Sequence, residues 1–193
     1  SSIAHIPSEM RAKSMTLSVV VGLGRSGTGA ARLLKTQGSK VVVLEQADSE
    51  ECKQRSAELR AQGIEVRLGQ PLEITSFEPW LDEMHQVVIS PGISWTHPTL
   101  EALRKRGVKV KGEMALAWET LSEHPWIGIT GTNGKTTVTH LLHHVLSHGG
   151  LVAPMAGNVG YSAAELALGC LEGSTPQPDW VVMEMSSYQI EAA

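Results

Sequence analysis

Apolar residues along this chain fall into two alternating kinds of run, one short, dense and β-branched, the other longer and spaced three or four apart. Thr16 to Val21 is of the first kind and reads as a strand, while Ala30, Ala31, Leu33 and Leu34, stopping at Gly38, have helical spacing. A strand over Lys40 to Glu45 follows, then a polar helix from about Ser49 to Gln62 and a short strand over Glu65 to Leu68. After an irregular stretch, Gln86 to Ser90 reads as a further strand, broken by Pro91-Gly92. A helix from His97 to Arg106, stopped by Gly107, leads to a strand over Val108 to Lys111 and a helix over Glu113 to Ser122. Strands that alternate with helices through short connections require a parallel sheet covered on both faces. The fold class expected for residues 15–123 is therefore α/β, a Rossmann-like parallel-sheet domain.

His124-Pro125 opens a second unit, with the boundary placed near Glu123. Trp126 to Thr130 reads as a strand, and the helix beyond it carries Val138, Leu141, Leu142, Val145 and Leu146 on one face and His140, His143, His144 and Ser147 on a solvated one. A helix over Ser162 to Leu168, a turn-rich linker over Glu172 to Pro178 and a strand over Asp179 to Met185 complete the pattern. Residues 124–193 have room for about three strands and two helices, a second α/β unit. Residues 1–14 are polar and patternless and are expected to be a disordered or cloning-derived tail.

Composition narrows the partners. The 193 residues carry a formal charge of −4 with only 16 Lys and Arg and no basic tract, which argues against nucleic acid as the main partner. No apolar run approaches the ~20 residues that span a bilayer, so a soluble protein without a membrane partner is expected. The two cysteines, Cys52 and Cys170, are far apart and form no Cys-x-x-Cys, which fits free thiols in a reducing cytoplasm.

Three constellations carry candidate chemistry. Gly128 to Thr137 reads Gly-Ile-Thr-Gly-Thr-Asn-Gly-Lys-Thr-Thr between an apolar run and a helical pattern. Glycines there let backbone N–H groups around Gly131, Thr132 and Gly134 approach phosphate oxygens. Lys135 then brings charge to the β- and γ-phosphates, and Thr136, followed by Thr137, a hydroxyl for Mg²⁺. The general pattern wants glycine five residues before Gly134, where Ile129 stands. Glu184 ends the strand expected beside this loop and is the second candidate Mg²⁺ ligand. His140 and His144 have the spacing of a metal pair but lack the intervening Glu of the zinc-protease pattern, so a solvated face is the better reading.

In the first unit, Gly22-Leu-Gly24-Arg25-Ser26-Gly27 follows a strand and Glu45 closes the next one, satisfying the dinucleotide fingerprint. That geometry suits NAD or any ligand with a pyrophosphate and a ribose. Ser90-Pro91-Gly92 sits at a neighbouring strand end, where open α/β sheets bind ligands, and reads equally as an ordinary turn. Asn158, between glycines, reads as a ligand contact or a turn residue. Two phosphate-type loops in successive units imply two phosphorylated ligands meeting at a shared cleft; an NAD-dependent oxidoreductase would leave the second loop unexplained, and a non-catalytic nucleotide-binding module stays open.

Taken in order, Gly22 to Gly27, Ser90 to Gly92, Gly131 to Thr137, Gly157-Asn-Val-Gly160 and Glu184-Met-Ser-Ser-Tyr-Gln-Ile-Glu191 resemble the Mur ligases of peptidoglycan synthesis, over roughly Thr16 to Ala193. Asn133, where another branch of the family typically has His, points to the branch that joins D-glutamate to UDP-N-acetylmuramoyl-L-alanine. The resemblance implies ATP and Mg²⁺ as cofactors, with Lys135 and Glu184 catalytic, residues 131–137 on ATP, and Thr136 with Glu184 on the metal. It implies that Gly24, Arg25, Ser26, Gly27, Glu45, Gln46, Ser90, Pro91, Gly92, Asn158 and Gln189 face the UDP-sugar. It also implies a cytoplasmic enzyme, monomeric at full length, whose modified lysine, second metal-binding histidine and D-glutamate site lie beyond Ala193. It further implies that residues 124–193 are the start of a P-loop ATP-binding α/β domain that is incomplete here, so this chain alone is expected to be an inactive fragment.

Overall fold

The β-branched run Leu17–Val21 forms strand β1, buried at every position. Beyond it come helix α1 (Arg25–Thr36), strand β2 (Lys40–Leu44), helix α2 (Glu50–Ala61) and strand β3 (Glu65–Arg67), then β4 (Met84–Ile89), α3 (Pro98–Lys105), β5 (Lys109–Gly112) and α4 (Glu113–Thr120). In this computed structural model, which describes residues 16–157 and 161–186, the five strands form one parallel sheet in the order β3-β2-β1-β4-β5. Alternation along the strands divides the core. Val20, Val41, Val43 and Val88 turn to one face with Leu33 and Leu34 of α1, whereas Val19, Val21, Val42, Val87 and Ile89 turn to the other with Leu100 and Leu103 of α3.

A second parallel sheet is built from β6 (Trp126–Ile129), β7 (Met155–Gly157) and β8 (Val181–Glu184) in the order β6-β8-β7, with helices α5 (Lys135–His148) and α6 (Ala163–Glu172). The two sheets share a core. Ala163, Ala164, Leu166 and Ala167 of α6 belong to the same buried cluster as Leu33 of α1, Leu116 of α4 and Val181 of β8. Small residues on α6 let it lie close against α1 and α4.

Four expectations from the sequence need correction or extension. The stretch between β3 and β4 is not irregular throughout, since Ile74–Trp80 is a 3₁₀-helix that buries Phe77 and Trp80 against the sheet. Pro79 and the short apolar spacing hid it. Strand β7, three residues of Met-Ala-Gly, is too short to display a period and exists through its pairing with β8. Helix α6 continues past Leu168 to Glu172. In α5, Val138, Leu141 and Val145 are exposed, while Thr139, Leu142, His143 and Leu146 turn inward and His143 Nδ1 bonds with the Ala153 carbonyl. The inward stripe is thus rotated from the most apolar one, with His143 held there by its bond to the Ala153 carbonyl.

Candidate functional site

The first glycine loop joins β1 to α1 at the carboxyl edge of the sheet, where the strand order reverses between β1 and β4. Close approach is what the glycines supply: a Cβ on Gly27 would run into the Gly22 carbonyl oxygen, so helix and strand pack here only without one. The loop borders a cleft of about 570 Å³. Gly24, Arg25, Ser26, Glu45, Gln46, Ser90, Pro91 and Gly92 all line it, and Gly27 lies buried beneath them. Asn158 and Gln189 lie outside the described residues.

Two side chains of this cleft hold it in shape. Glu45 accepts the Leu23 N–H at 2.7 Å on one carboxylate oxygen and the Ala47 N–H at 3.0 Å on the other, so it ties the glycine loop to the end of β2. Ser90 donates to the Val21 carbonyl at 2.9 Å and binds the end of β4 to that of β1. The sequence reading missed Gln70, Leu72, Ser94 and His97, which also line the cleft. Each follows a strand end or precedes a helix. The strand-end rule could have found Gln70 after β3, but the reach of His97 depends on how α3 docks. His97 Nδ1 also accepts the Thr99 N–H at 3.1 Å, capping α3.

The second loop leaves β6 and enters α5. Gly131 and Gly134 have φ of 143° and 73°, and Gly134 caps α5 in the left-handed region that favours glycine, with no side chain on the first N–H groups of the helix. Thr136, in the first turn of α5, donates to both carboxylate oxygens of Glu184, at 3.0 and 3.2 Å. Glu184 ends β8 and is only 3% exposed. Strand pairing of β6 with β8 sets Ile129 opposite Glu184, which brings the carboxylate to the mouth of the loop. A buried carboxylate and a hydroxyl, both hard oxygen donors, suit Mg²⁺, which takes few protein ligands and completes its shell with phosphate and water. No cluster of three His, Cys, Asp or Glu able to hold a metal occurs among the described residues. The lining of the first cleft comes wholly from residues 21–97, so residues 131–137 stand outside it.

A parallel sheet with a glycine-loop cleft at its carboxyl edge, joined to a second parallel sheet with a glycine loop and a strand-end carboxylate, defines a two-lobed α/β protein. Comparison with known proteins sharpens this class. The model of the Mur ligase MurD-like N-terminal domain matches residues 16–112, and that of the Mur ligase middle domain matches residues 129–193. The chain belongs to the Mur ligase family. It is 64% identical over 178 residues to UDP-N-acetylmuramoylalanine--D-glutamate ligase of Synechococcus sp. (strain CC9902), covering 92% of this chain and 38% of that protein. The protein of the same name from Prochlorococcus marinus (strain MIT 9313) is 62% identical over 179 residues, covering 93% and 39%. The chain thus spans well under half the length of these relatives. Among solved structures, UDP-N-acetylmuramate:L-alanyl-gamma-D-glutamyl-meso-diaminopimelate ligase from Neisseria meningitides aligns with a TM-score of 0.52 at 22% identity, over 88% of this chain and 52% of that one. At that identity the likeness bears on the fold. Among the described residues, no helix is long and apolar enough to cross a membrane.

Proposed function

We propose that this chain is the UDP-substrate lobe, residues 15–123, and the beginning of the ATP lobe, residues 124–193, of a cytoplasmic ligase that joins D-glutamate to UDP-N-acetylmuramoyl-L-alanine. The observation that carries the proposal is the pairing of two different phosphate-type loops in successive sheets, one facing a cleft of about 570 Å³ and one beside the Thr136–Glu184 pair. An oxidoreductase would leave the second loop idle. In the first cleft, the α1 N-terminus and Arg25 suit a pyrophosphate, and the strand ends at Glu45, Gln46 and Ser90 suit a nucleoside.

In the proposed reaction a carboxylate oxygen of the UDP-sugar substrate attacks the γ-phosphorus of ATP, and the bond to ADP breaks. The D-glutamate amine then attacks the acyl carbon, releasing inorganic phosphate and a proton. Backbone N–H groups of residues 131–135 hold the phosphate chain, and the Lys135 ammonium offsets the charge that spreads over the transferring phosphoryl oxygens. Thr136 and Glu184 would hold Mg²⁺, which when bound neutralises phosphate charge.

Calorimetry on the chain tests the assignment. UDP-N-acetylmuramoyl-L-alanine should bind in the micromolar range, and NAD should give no heat. The reverse pattern would replace the ligase with an oxidoreductase.

A further inference from the structure

Helix α6 starts where the layers of the two sheets meet through polar groups. Its own capping box uses two donors: the Ser162 hydroxyl accepts the Glu165 N–H at 3.0 Å, and Glu165 accepts the Ser162 N–H at 2.9 Å. A third N–H, that of Ala164, is served from far along the chain. Glu113, the first residue of α4, accepts it at 2.7 Å and is itself only 3% exposed. Contact with α1 is equally close, because a Cβ on Gly29 would press on the Glu165 Cγ and the Ser162 hydroxyl at 3.0 Å. On the outer side of this contact Glu165 meets Arg25, which lines the first cleft, at 3.8 Å.

We propose that Glu113 is a positioning residue that, by accepting the Ala164 N–H, latches α6 of the second lobe onto α4 and α1 of the first, and so sets where Glu165 meets Arg25 at the first cleft. One carboxyl oxygen accepts the Ala164 N–H, and the Ser162 hydroxyl, whose oxygen already accepts the Glu165 N–H, has its own O–H left to donate to the carboxyl. Burial is the main force that keeps the proton on, pushing the carboxyl up to about 7. The Ala164 N–H and the Ser162 hydroxyl pull the other way, and the like charge of Glu165 adds to the rise. The other charged groups nearby are already committed, Arg25 of α1 to Glu165 and Lys111 of β5 to Glu119 of α4 at 2.7 Å. Ionisation would therefore place an uncompensated charge in a dry seam between the lobes.

The chain carries its own probe of the latch. Its two cysteines are Cys52, half-buried on α2, and Cys170, buried on α6 within the core that joins the lobes. With 4,4′-dithiodipyridine the faster phase belongs to Cys52, and the slower one reports α6 leaving its seat. At pH 6, where Glu113 holds its proton, Glu113→Ala should speed the slow phase at least tenfold and leave the fast phase unchanged. Glu113→Gln, whose amide oxygen still accepts the Ala164 N–H and which cannot ionise, should be no faster than the parent. In thermal unfolding, Glu113→Gln should gain on the parent as pH rises from 6 to 8. A slow phase in Glu113→Ala equal to the parent's would overturn the latch, as would a difference between Glu113→Gln and parent that stays constant from pH 5 to 8. Should Glu113→Ala fail to fold, the pH series on Glu113→Gln decides by itself.

Discussion

Single side chains set the chemistry of both loops, and they do so by holding backbone in place as well as by meeting a ligand. Lys135 is the one side chain of the phosphate loop that brings a full charge, so Lys135→Ala should weaken MgATP binding at least tenfold in calorimetry while the melting temperature stays within a few degrees of the parent. Glu184→Ala should bind ATP with little dependence on Mg²⁺, because the buried carboxylate that Thr136 addresses is gone. Binding as tight and as Mg²⁺-dependent as the parent's in both variants would remove the P-loop assignment. Glu45 has a different lesson. Its residue type and position at the end of β2 were legible as a ligand carboxylate, yet each of its oxygens accepts a backbone N–H, from Leu23 and Ala47. Glu45→Ala should cost about 1–2 kcal/mol in chemical denaturation, the scale of leaving such donors unserved. No spacing rule reports this role, because the hydrogen bond to Leu23 joins residues brought together only by the pairing of β1 with β2.

At the scale of elements, strands and helix starts were the most legible features. The run Leu17–Val21 and the Ser49 cap of α2, whose hydroxyl accepts the Cys52 N–H, follow local rules and appear where those rules place them. Elements defined by their neighbours were not legible. Strand β7 needs β8, and the 3₁₀-helix Ile74–Trp80 needs the sheet face that takes Phe77 and Trp80. Helix α5 shows the same limit in reverse, since its most apolar stripe, with Val138, Leu141 and Val145, faces outward. Helix α6 is held at its start by the Ser162 and Glu165 capping box and by Glu113. Ser162→Ala should lower stability by about 1–2 kcal/mol, more than an ordinary exposed cap, because the hydroxyl also serves the seam between lobes. Urea denaturation monitored by the tryptophans measures it, and a loss below a few tenths of a kcal/mol would place α6 outside the cooperative core.

For the whole molecule, the shared core makes the two lobes one energetic unit, and Glu113 gives that unit a pH dependence. Its carboxyl stands at about 7 in the folded chain against an ordinary value of 4.5. Between those values the folded chain holds a proton that the unfolded chain has released, so stability falls as pH rises, by up to about 3 kcal/mol from this group, and levels off above pH 7. Denaturation at pH 5, 6 and 8 should show the decline in the parent and a flatter profile in Glu113→Gln. Sequence alone was sufficient for the alternating α/β order, the two glycine loops and the likeness to the Mur ligases, because strand periodicity and loop chemistry are written in residues close together along the chain. Only tertiary structure decided the rest. Helix α6 bridges the lobes, a glutamate at the head of α4 caps it across 51 residues, and the first cleft closes without the P-loop, since burial and helix docking depend on which distant surfaces meet.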